Sequence, residues 1–428
     1  MTSKKTLLIL GAGTGGTAVA NHLQKKLPQD WQLTVVDPQT DHLYQPDLIF
    51  IPFGATNEAR SIRPRAKTLR SGITWVQEAV ERVERDRRRV RLASGETLPY
   101  DLLVIASGVE VRPDETPGLL SDAWRRSIHE FYTLDGARAL RSALEQIEGG
   151  RLVVNVVEMP IKCPVAPLEF LFLADAYFKR RGIRDRIELV YATPLDGAFT
   201  RPLAASMLGE LLERKGVVVE TEFSTGEVDP EQRLLRSYDE RELPYDLLVS
   251  VPTHRGAPFI EASGMGDELD FVPTDRRTLL TDQDDHIFAL GDATNLPTSK
   301  AGSVAHFQAE VAAENIQRAI AGRSPVEGFD GHATCFIESG FSRAVLIDFN
   351  YETEPLPGQY PLPGVGPFSL LKETRRNHWG KLGFRWAYWK RLLPGKSLFV
   401  SNRLSMRGKR VPVALLPAHT EGESHASS

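Results

Sequence analysis

The sequence predicts an α/β protein with two Rossmann-like, three-layer domains and a separate C-terminal region. An apolar run, a glycine-rich turn and a helical segment open the chain, and the same alternation of strands and helices restarts near Gly150. This order is typical of doubly wound parallel sheets. A further strand-like run, ending in Gly291-Asp292, lies downstream of the second series, so we predict that the first domain is discontinuous.

The chain is predicted to divide into four regions. Residues 1–135 and 270–330 form the first domain, and residues 136–269 form the second. A C-terminal region follows over residues 331–417, and the small, polar residues 418–428 predict a disordered tail. With 428 residues, the chain is long enough for more than one hydrophobic core.

The first turn predicts a dinucleotide-binding loop. Residues 6–10 form the continuous apolar run of a buried parallel strand, and the sequence GAGTGG follows it. Gly11 makes the tight turn, Gly13 lets the backbone approach a diphosphate, and Gly16 allows close packing of helix on strand. With Ala12 between the first two glycines, the loop places phosphates at a helix N-terminus, where free N–H groups favour anions.

Three further segments favour FAD as the dinucleotide. Asp37 ends the second predicted strand, 21 residues after the last glycine of the motif, where a carboxylate binds a ribose hydroxyl. The run that ends at Gly108 resembles the strand-to-loop element beside FAD in flavoproteins with two dinucleotide-binding domains. Residues 281–292 resemble the second FAD fingerprint of those proteins, which implies that Gly291 and Asp292 contact FAD, with Asp292 at the ribitol chain.

The second domain lacks the residues that bind a nicotinamide nucleotide. Its first turn, residues 158–164, contains no glycine, and its second predicted strand ends at Thr193 without a carboxylate. Pro160 and Pro164 stiffen this turn, whereas a phosphate loop needs freedom. We therefore expect no NAD(P)H in the second domain, and a thiol, Cys163, occupies the turn instead.

The two cysteines of the chain lie in motifs that resemble those of one family. IKCPVAP surrounds Cys163 and TCFIE surrounds Cys335, and both resemble the cysteine motifs of the sulfide:quinone oxidoreductases, to which flavocytochrome c sulfide dehydrogenase is related. NLPTSKAG, residues 295–302, resembles the segment that follows the flavin aspartate in that family. The similarity covers residues 5–412 and spares the polar tail.

The resemblance implies a reaction and the residues that carry it. In that family sulfide is oxidised to sulfane sulfur or polysulfide, FAD carries the electrons, and a membrane quinone accepts them. By the same resemblance, Cys163 and Cys335 form the redox pair at the flavin, and Lys300 lies near the pyrimidine end of the flavin ring. We expect FAD to be bound non-covalently, because residues 41–46 lack the cysteine that attaches FAD in the flavocytochromes.

Parts of this reaction stay open in the sequence. Many family members have a third cysteine where this chain has Ser127-Ile128-His129, so a mechanism must use two sulfurs. A proton acceptor is required, and Glu169 and His129 are the candidates. The resemblance favours Cys335 as the cysteine nearer the flavin.

The C-terminal region carries a candidate membrane anchor. Its apolar residues repeat at helical spacings of 3, 4, 3 and 4: Trp379, Leu382, Trp386, Trp389 and Leu393. Lys381, Arg385 and Lys390 lie beside or opposite this face. A basic amphipathic helix with tryptophans is typical of an in-plane anchor, although a helix packed on the core of the protein would show the same spacing.

Composition limits the class of protein. The net charge of −4 gives no argument for nucleic acid, and we predict no metal site. We identify no signal peptide, and no apolar run reaches the roughly 18 residues of a membrane-spanning helix. These features predict a peripheral membrane protein, and they leave open the membrane face and whether the chain forms a homo-oligomer.

Two alternatives to a sulfide:quinone oxidoreductase stay open. A type-II NADH:quinone dehydrogenase would share the FAD and membrane features, but it would need the missing glycine loop and would leave the cysteine motifs unexplained. A flavin subunit of a sulfur-metabolism electron-transfer assembly would keep the cysteines without turnover of its own. The quinone type and the length of the sulfur product cannot be derived from the sequence.

Overall fold

A computed structural model describes residues 4–362, 366–398 and 400–412. The predicted disordered tail, residues 418–428, lies outside the described residues.

The first part of the chain contributes helix α1 (Thr14–Leu23) and a series of short strands. The strands are β1 (Lys5–Leu10), β2 (Trp31–Val36), β3 (Asp41–Leu43), β4 (Ile62–Pro64), β5 (Thr74–Val76), β6 (Val80–Glu84), β7 (Arg89–Leu92), β8 (Thr97–Pro99), β9 (Leu102–Ile105) and β10 (Glu110–Arg112).

The middle of the chain alternates strands and helices. Its strands are β11 (Ile128–His129), β12 (Gly150–Val156), β13 (Ile187–Ala192), β14 (Val217–Glu220), β15 (Thr225–Asp229), β16 (Leu234–Ser237), β17 (Glu242–Pro244), β18 (Leu247–Val251) and β19 (Thr253–Arg255). Its helices are α2 (Leu134–Gln146), α3 (Ala166–Arg181), α4 (Pro202–Arg214) and α5 (Pro258–Ala262).

The last part begins with β20 (Leu280–Thr281), β21 (Asp284–Ala289) and α6 (Gly302–Ile320). It continues with β22 (Ala333–Gly340), β23 (Arg343–Phe349), β24 (Gly358–Tyr360), β25 (Phe368–Leu370), α7 (Arg375–Ala387) and a π-helical turn, Tyr388–Leu392. Short 3₁₀ helices lie at Gln45–Phe50, Glu58–Arg60, Arg65–Lys67, Arg85–Arg87, Pro113–Glu115, Arg184–Arg186 and Gly291–Ala293.

The first sheet confirms the predicted doubly wound, discontinuous domain. Its strand order is β20-β21-β9-β1-β2-β5; the last five of these strands run parallel to one another, and β20 is antiparallel to β21. Leu7 to Leu10 of β1 are fully buried, as expected for a strand covered on both faces. Because β20 and β21 join this sheet from far downstream, the segment after β21 meets the turn after β1.

The second sheet repeats the same plan. Its strand order is β11-β18-β12-β13-β14, and all its pairs are parallel. Strand β12 enters a turn and then α3, as β1 enters α1, so the Cys163 turn occupies the position that the glycine loop has in the first domain. The domain boundaries given above stay a prediction.

A C-terminal sheet, β22-β23-β25-β24, completes the fold. Strand β22 carries Cys335 and packs on α3, the helix that follows Cys163, while α7 lies over β22 and β23. This packing brings the two cysteine motifs to one side of the molecule.

The predicted single membrane face of the C-terminal helix is wrong in its second half. Trp379 and Trp386 are 67% and 61% exposed, but Trp389 is only 6% exposed and packs near Tyr44. The π-helical turn that follows α7 changes the register, and Leu393 is buried with Trp389. Trp389 is therefore part of a core.

Two of the basic residues predicted beside or opposite that face form ion pairs with carboxylates of the protein itself. Lys381 pairs with Glu169, and the guanidinium of Arg385 lies 3.1 Å from the Asp47 carboxylate. Lys390 remains exposed. In the described part of the chain, no helix has the length and apolar content needed to cross a bilayer.

Candidate flavin and cysteine site

The glycine loop has the shape that a diphosphate requires. Gly11 has φ +97°, and a Cβ there would lie 2.5 Å from the Ala106 carbonyl oxygen. A Cβ on Gly16 would overlap the Gly11 carbonyl oxygen, whereas a Cβ on Gly13 would meet no described atom within 4 Å. Gly11 and Gly16 thus permit close packing, and the open side of the loop is at Gly13, as the sequence predicts.

Asp37 organises this loop from the end of β2. Its carboxylate accepts the Ala12 N–H at 2.6 Å and the Gln39 N–H at 2.9 Å, and it lies 3.3 Å from the Arg65 guanidinium. A carboxylate has about four acceptor sites, so a ribose hydroxyl can still be accommodated. That contact stays a prediction.

The other end of the expected cofactor has an unpartnered acid. The half-buried Asp292 carboxylate accepts no hydrogen bond from the residues that the structure describes. Burial raises the pKa of Asp292, although Lys300 and Lys162 oppose the shift. The buried Ser107 hydroxyl likewise has no partner among the described residues, and Gly108 has φ +73° with open space beyond it. These free polar groups fit a cofactor with several hydroxyls, as FAD has.

Lys300 is buried beside this acid. Its ammonium donates to the Asp292 and Thr294 carbonyl oxygens at 2.8 and 2.7 Å and lies 3.8 Å from the centre of the Phe271 ring. Burial lowers the pKa of Lys300 to about 8. The ammonium therefore holds the backbone around Gly291, and its contact with the flavin stays a prediction.

The segment that contains Lys300 joins the two cysteine motifs to the turn that carries Asp292. The Cys163 N–H donates to the Lys300 carbonyl oxygen at 2.7 Å. The Ser303 hydroxyl, at the start of α6, donates at 2.8 Å to the carbonyl oxygen of Thr334, the neighbour of Cys335. Motifs far apart in the sequence thus meet at the N-terminus of one helix.

Both cysteines are free thiols in an environment that disfavours thiolates. Burial raises the pKa of Cys163 to about 12, with a further contribution from Glu169. Burial also raises the pKa of Cys335, and the charge of Cys163 adds to the shift. Lys381 opposes both shifts, so it is the cation that these two sulfurs share.

A buried polar cluster lies beside the thiols. Glu169 is 2% exposed; its carboxylate accepts the Glu338 N–H at 3.1 Å and pairs with the Lys381 ammonium. Lys381 also donates to the Phe336 carbonyl oxygen at 3.1 Å, and the His378 Nδ1 lies 2.8 Å from the Glu338 carboxylate. Burial alone would lower the pKa of Lys381, but Glu169 and Glu338 together raise it, so Lys381 stays charged.

The two candidate proton acceptors differ in position. Glu169 affects the pKa of both cysteines. His129 is buried in the second sheet, with Nε2 3.0 Å from the Arg126 carbonyl oxygen, and burial lowers its pKa. The groups that shift the two thiols do not include His129. Of the two, Glu169 is the one beside the cysteines.

The sequence analysis missed Lys381 and Glu338 as site residues. A signal was available for the first: Glu169 stands in the apolar run APLEFLFLA of α3, and a buried carboxylate requires a buried partner. Nothing in the spacing of residues indicates that this partner lies 212 positions away.

Comparison with known proteins shows what this chain is similar to. A profile of the pyridine nucleotide-disulphide oxidoreductases matches residues 5–157. The mitochondrial sulfide:quinone oxidoreductase of Mus musculus is 26% identical over 396 residues, which cover 91% of this chain and 86% of that protein. The chain is a homologue of the sulfide:quinone oxidoreductases. The crystal structure of the Aquifex aeolicus sulfide:quinone oxidoreductase shares the fold, with a TM-score of 0.74, 19% identity and 92% of each chain covered.

This sulfide:quinone oxidoreductase homologue is an FAD-binding oxidoreductase. Similarity also extends to a type II NADH:quinone oxidoreductase of Haemophilus influenzae, which is 26% identical over 363 residues and covers 73% of this chain and 80% of that protein. The alignment with the mouse protein covers a larger share of this chain and of the relative than the alignment with the Haemophilus protein does.

Proposed function

We propose that this protein oxidises sulfide to sulfane sulfur through Cys163 and Cys335 and passes the electrons through FAD to a membrane quinone. The observation that carries the proposal is the junction at Lys300 and Ser303, which links both cysteine motifs to the segment that follows Asp292. The homology to sulfide:quinone oxidoreductases supports the choice of donor and acceptor.

The chemistry begins with an oxidised cysteine pair. HS⁻ attacks a Cys163–Cys335 disulfide, the S–S bond breaks, and one cysteine becomes a persulfide while the other leaves as a thiolate. A second HS⁻ removes the sulfane sulfur as HSS⁻ and leaves a thiol. When the thiol and the thiolate form the disulfide again, two electrons and one proton are released. FAD, which the glycine loop, Asp37 and Asp292 would hold, would supply the acceptor for these two electrons, and a quinone would reoxidise it.

The buried cluster supplies the charge that these steps need. A thiolate is unfavourable both at the half-buried Cys163 and at the buried Cys335, and Lys381 is a cation that lowers the pKa of each. Lys381 therefore stabilises the leaving sulfur, as a preorganised charge does at a developing anion. Glu169, in contact with Lys381, accepts the proton released when the disulfide forms again.

The membrane contact is proposed for a smaller surface than the sequence predicted. Trp379, Leu382 and Trp386 are exposed on one face of α7, and Lys390 is exposed beyond its end. Exposed indoles next to basic residues are typical of proteins that dock in the plane of the lipid headgroups. Docking there would bring a lipid-dissolved quinone to the sheet that carries Cys335.

The test of the reaction uses the anaerobic flavoprotein. Sulfide is expected to bleach the visible flavin absorbance, a soluble quinone should restore it, and Cys163→Ser and Cys335→Ser should abolish the bleaching. Bleaching by NADH and not by sulfide would instead establish the type-II dehydrogenase. Bleaching by neither would support the flavin-subunit alternative.

The test of membrane contact is flotation with anionic liposomes. The double variant Trp379→Ser, Trp386→Ser should lose binding, because both exposed indoles are removed. Tyr238→Ser is the matched control, since Tyr238 is 81% exposed in the turn between β16 and β17. Equal binding by both variants would overturn the assignment of this surface.

A further inference from the structure

The C-terminal π-helical turn reaches the phosphate loop at the opposite end of the chain. The Tyr388 hydroxyl lies 2.9 Å from the Thr14 hydroxyl and 2.6 Å from the His42 Nε2, although Thr14 and Tyr388 are 374 residues apart in sequence. Tyr388 is 1% exposed and packs against Tyr44 with ring centres 4.7 Å apart. The contact is therefore a buried one between the C-terminal element and the first domain.

The direction of these hydrogen bonds follows from the chemistry of their ends. The His42 Nδ1 lies 3.2 Å from the Ala12 carbonyl oxygen, which can only accept, so Nδ1 carries the proton. Burial, together with Arg65, lowers the pKa of His42 to about 3, so the ring is neutral and its Nε2 accepts from the Tyr388 hydroxyl. The Tyr388 oxygen then accepts from the Thr14 hydroxyl. Three hydrogen bonds in series therefore link the Thr14 hydroxyl to Tyr388, Tyr388 to His42, and His42 to the Ala12 carbonyl oxygen.

This series of hydrogen bonds ends at the glycine loop that is predicted to bind a diphosphate. The Ala12 carbonyl oxygen also accepts from the Thr17 hydroxyl at 2.8 Å and from the Arg65 guanidinium. Because a trans peptide holds its C=O and N–H in opposite directions, fixing the Ala12 carbonyl fixes the Gly13 N–H on the other side. With the Thr14 hydroxyl committed to Tyr388, backbone N–H groups are left to meet the phosphates.

The rest of the C-terminal segment follows α1 for another turn. The Asn21 side-chain amide donates to the Leu393 carbonyl oxygen at 2.8 Å, and the Arg70 guanidinium donates to the Pro394 carbonyl oxygen at 2.8 Å. A Cβ on Gly395 would lie 2.5 Å from the His22 nitrogen. The segment thus packs closely on the helix whose N-terminus receives the phosphates.

We propose that Tyr388 is a positioning residue of the FAD site, which acts through His42 and Thr14 to hold the diphosphate-binding loop in its binding shape. Retention of FAD then depends on the C-terminal element, which no glycine motif would reveal. The inference is independent of which donor and acceptor the flavin serves.

The test measures how fast the purified holoprotein releases FAD after dilution, followed by the fluorescence of the free flavin. Tyr388→Phe keeps the ring and removes the hydroxyl, and we expect release to become roughly tenfold faster. Tyr44→Phe is the matched control, because Tyr44 lies in the same aromatic cluster but its hydroxyl has no hydrogen-bond partner among the described residues. It should release FAD as the unchanged protein does.

A double-variant cycle and a melting experiment separate positioning from general stability. Thr14→Val and Tyr388→Phe interrupt the same series of hydrogen bonds, so the combined variant should release FAD little faster than the worse single variant. The melting temperature of the FAD-free protein should change little in Tyr388→Phe, while that of the holoprotein falls. Unchanged FAD release in Tyr388→Phe, or equal acceleration in Tyr44→Phe, would overturn the proposal.

Discussion

The first turn of each Rossmann-like domain occupies the same place in the fold, at the carboxyl end of a central strand and before a helix. In the first domain, Gly11 to Gly16 leave an open cradle with backbone N–H groups at the start of α1. In the second, the turn between β12 and α3 contains Pro160 and Pro164 and holds Cys163 at φ +54°. One turn can admit a cofactor, and the other presents a thiol.

The difference shows that topology supplies a position and that side chains decide its chemistry. Strand order in both sheets places the first turn where ligands of doubly wound folds bind. A proline-stiffened turn fixes Cys163 against the Lys300 carbonyl oxygen, whereas a glycine turn fixes phosphates. The second domain has the same fold, but its first turn carries a thiol where the first domain has a glycine loop.

The largest effect is expected from the thiol turn. Cys163→Ser should slow the reduction of the flavin by sulfide by roughly a thousandfold or more, because one sulfur of the proposed redox pair is lost. The flavin content should remain that of the unchanged protein, since the glycine loop is untouched. Rapid anaerobic mixing with sulfide measures the first quantity and the visible spectrum measures the second; loss of FAD in this variant would contradict the division of roles.

The glycine turn should separate stability from binding. Gly16→Ala should lower the free energy of unfolding by on the order of 3 kcal/mol, because its Cβ would overlap the Gly11 carbonyl oxygen. Gly13→Ala should leave the FAD-free protein with a nearly unchanged melting temperature and weaken FAD binding, because its Cβ would enter the open side of the loop. Thermal melts of each variant with and without FAD measure the two effects. Equal destabilisation of the FAD-free protein by Gly16→Ala and Gly13→Ala would contradict the different roles assigned to the two glycines.

Lys381→Met tests the role of the positive charge beside the two cysteines. Removing the cation that both cysteines share should slow reduction by sulfide by about tenfold, because the leaving thiolate loses its counter-charge. Lys390→Met, at an exposed lysine just beyond the same helix, is the control and should behave as the unchanged protein.

The lysine variant also leaves the Glu169 carboxylate buried without its partner, so its folding needs a check. Combining Lys381→Met with Glu169→Gln removes that unpaired charge, and the combined variant should melt at a higher temperature than Lys381→Met alone. If the combined variant regained full activity, the electrostatic role of Lys381 would be wrong.

The last expected effect is a gradual dependence on pH. The pKa of Cys163 is raised to about 12 by burial, so the thiolate of the reduced protein is a rare species near neutrality. Its alkylation by iodoacetamide should rise by about tenfold for each pH unit between about pH 7 and pH 10, without a plateau. Mass spectrometry follows the modification, and Tyr238→Cys supplies an exposed thiol that should level off near its ordinary pKa; a plateau at Cys163 in the same range would contradict the burial argument.

Much of the fold could be predicted because its signals are local. The apolar run before Gly11, the glycine spacing, and the absence of glycine around Cys163 each depend on neighbouring residues, and the predicted doubly wound sheets are confirmed. The ends of elements depend on more than local sequence: the first helix ends at Leu23, and the backbone forms turns before Trp31. The predictions of FAD and of an oxidoreductase depended on the resemblance of local motifs to those of known flavoproteins, and both are confirmed.

The exposure of the C-terminal tryptophans and the partners of the buried charges depended on which distant segments pack against each element. Periodicity grouped Trp379, Trp386 and Trp389 on one face, but a π-helical turn and an aromatic pocket at Tyr44 removed Trp389 from the surface. Spacing likewise gave no reason to pair Lys381 with Glu169.

The sequence by itself thus determined the α/β class, the cradle at Gly11 to Gly16 and the replacement of the second phosphate loop by a cysteine turn. Those features depend on residue type and spacing along one strand–turn–helix unit. Only the tertiary structure decided which cation serves the thiols and that Tyr388 closes the phosphate loop. Both depend on side chains from distant segments packed together in a low-dielectric interior, where each buried polar group must find its partner.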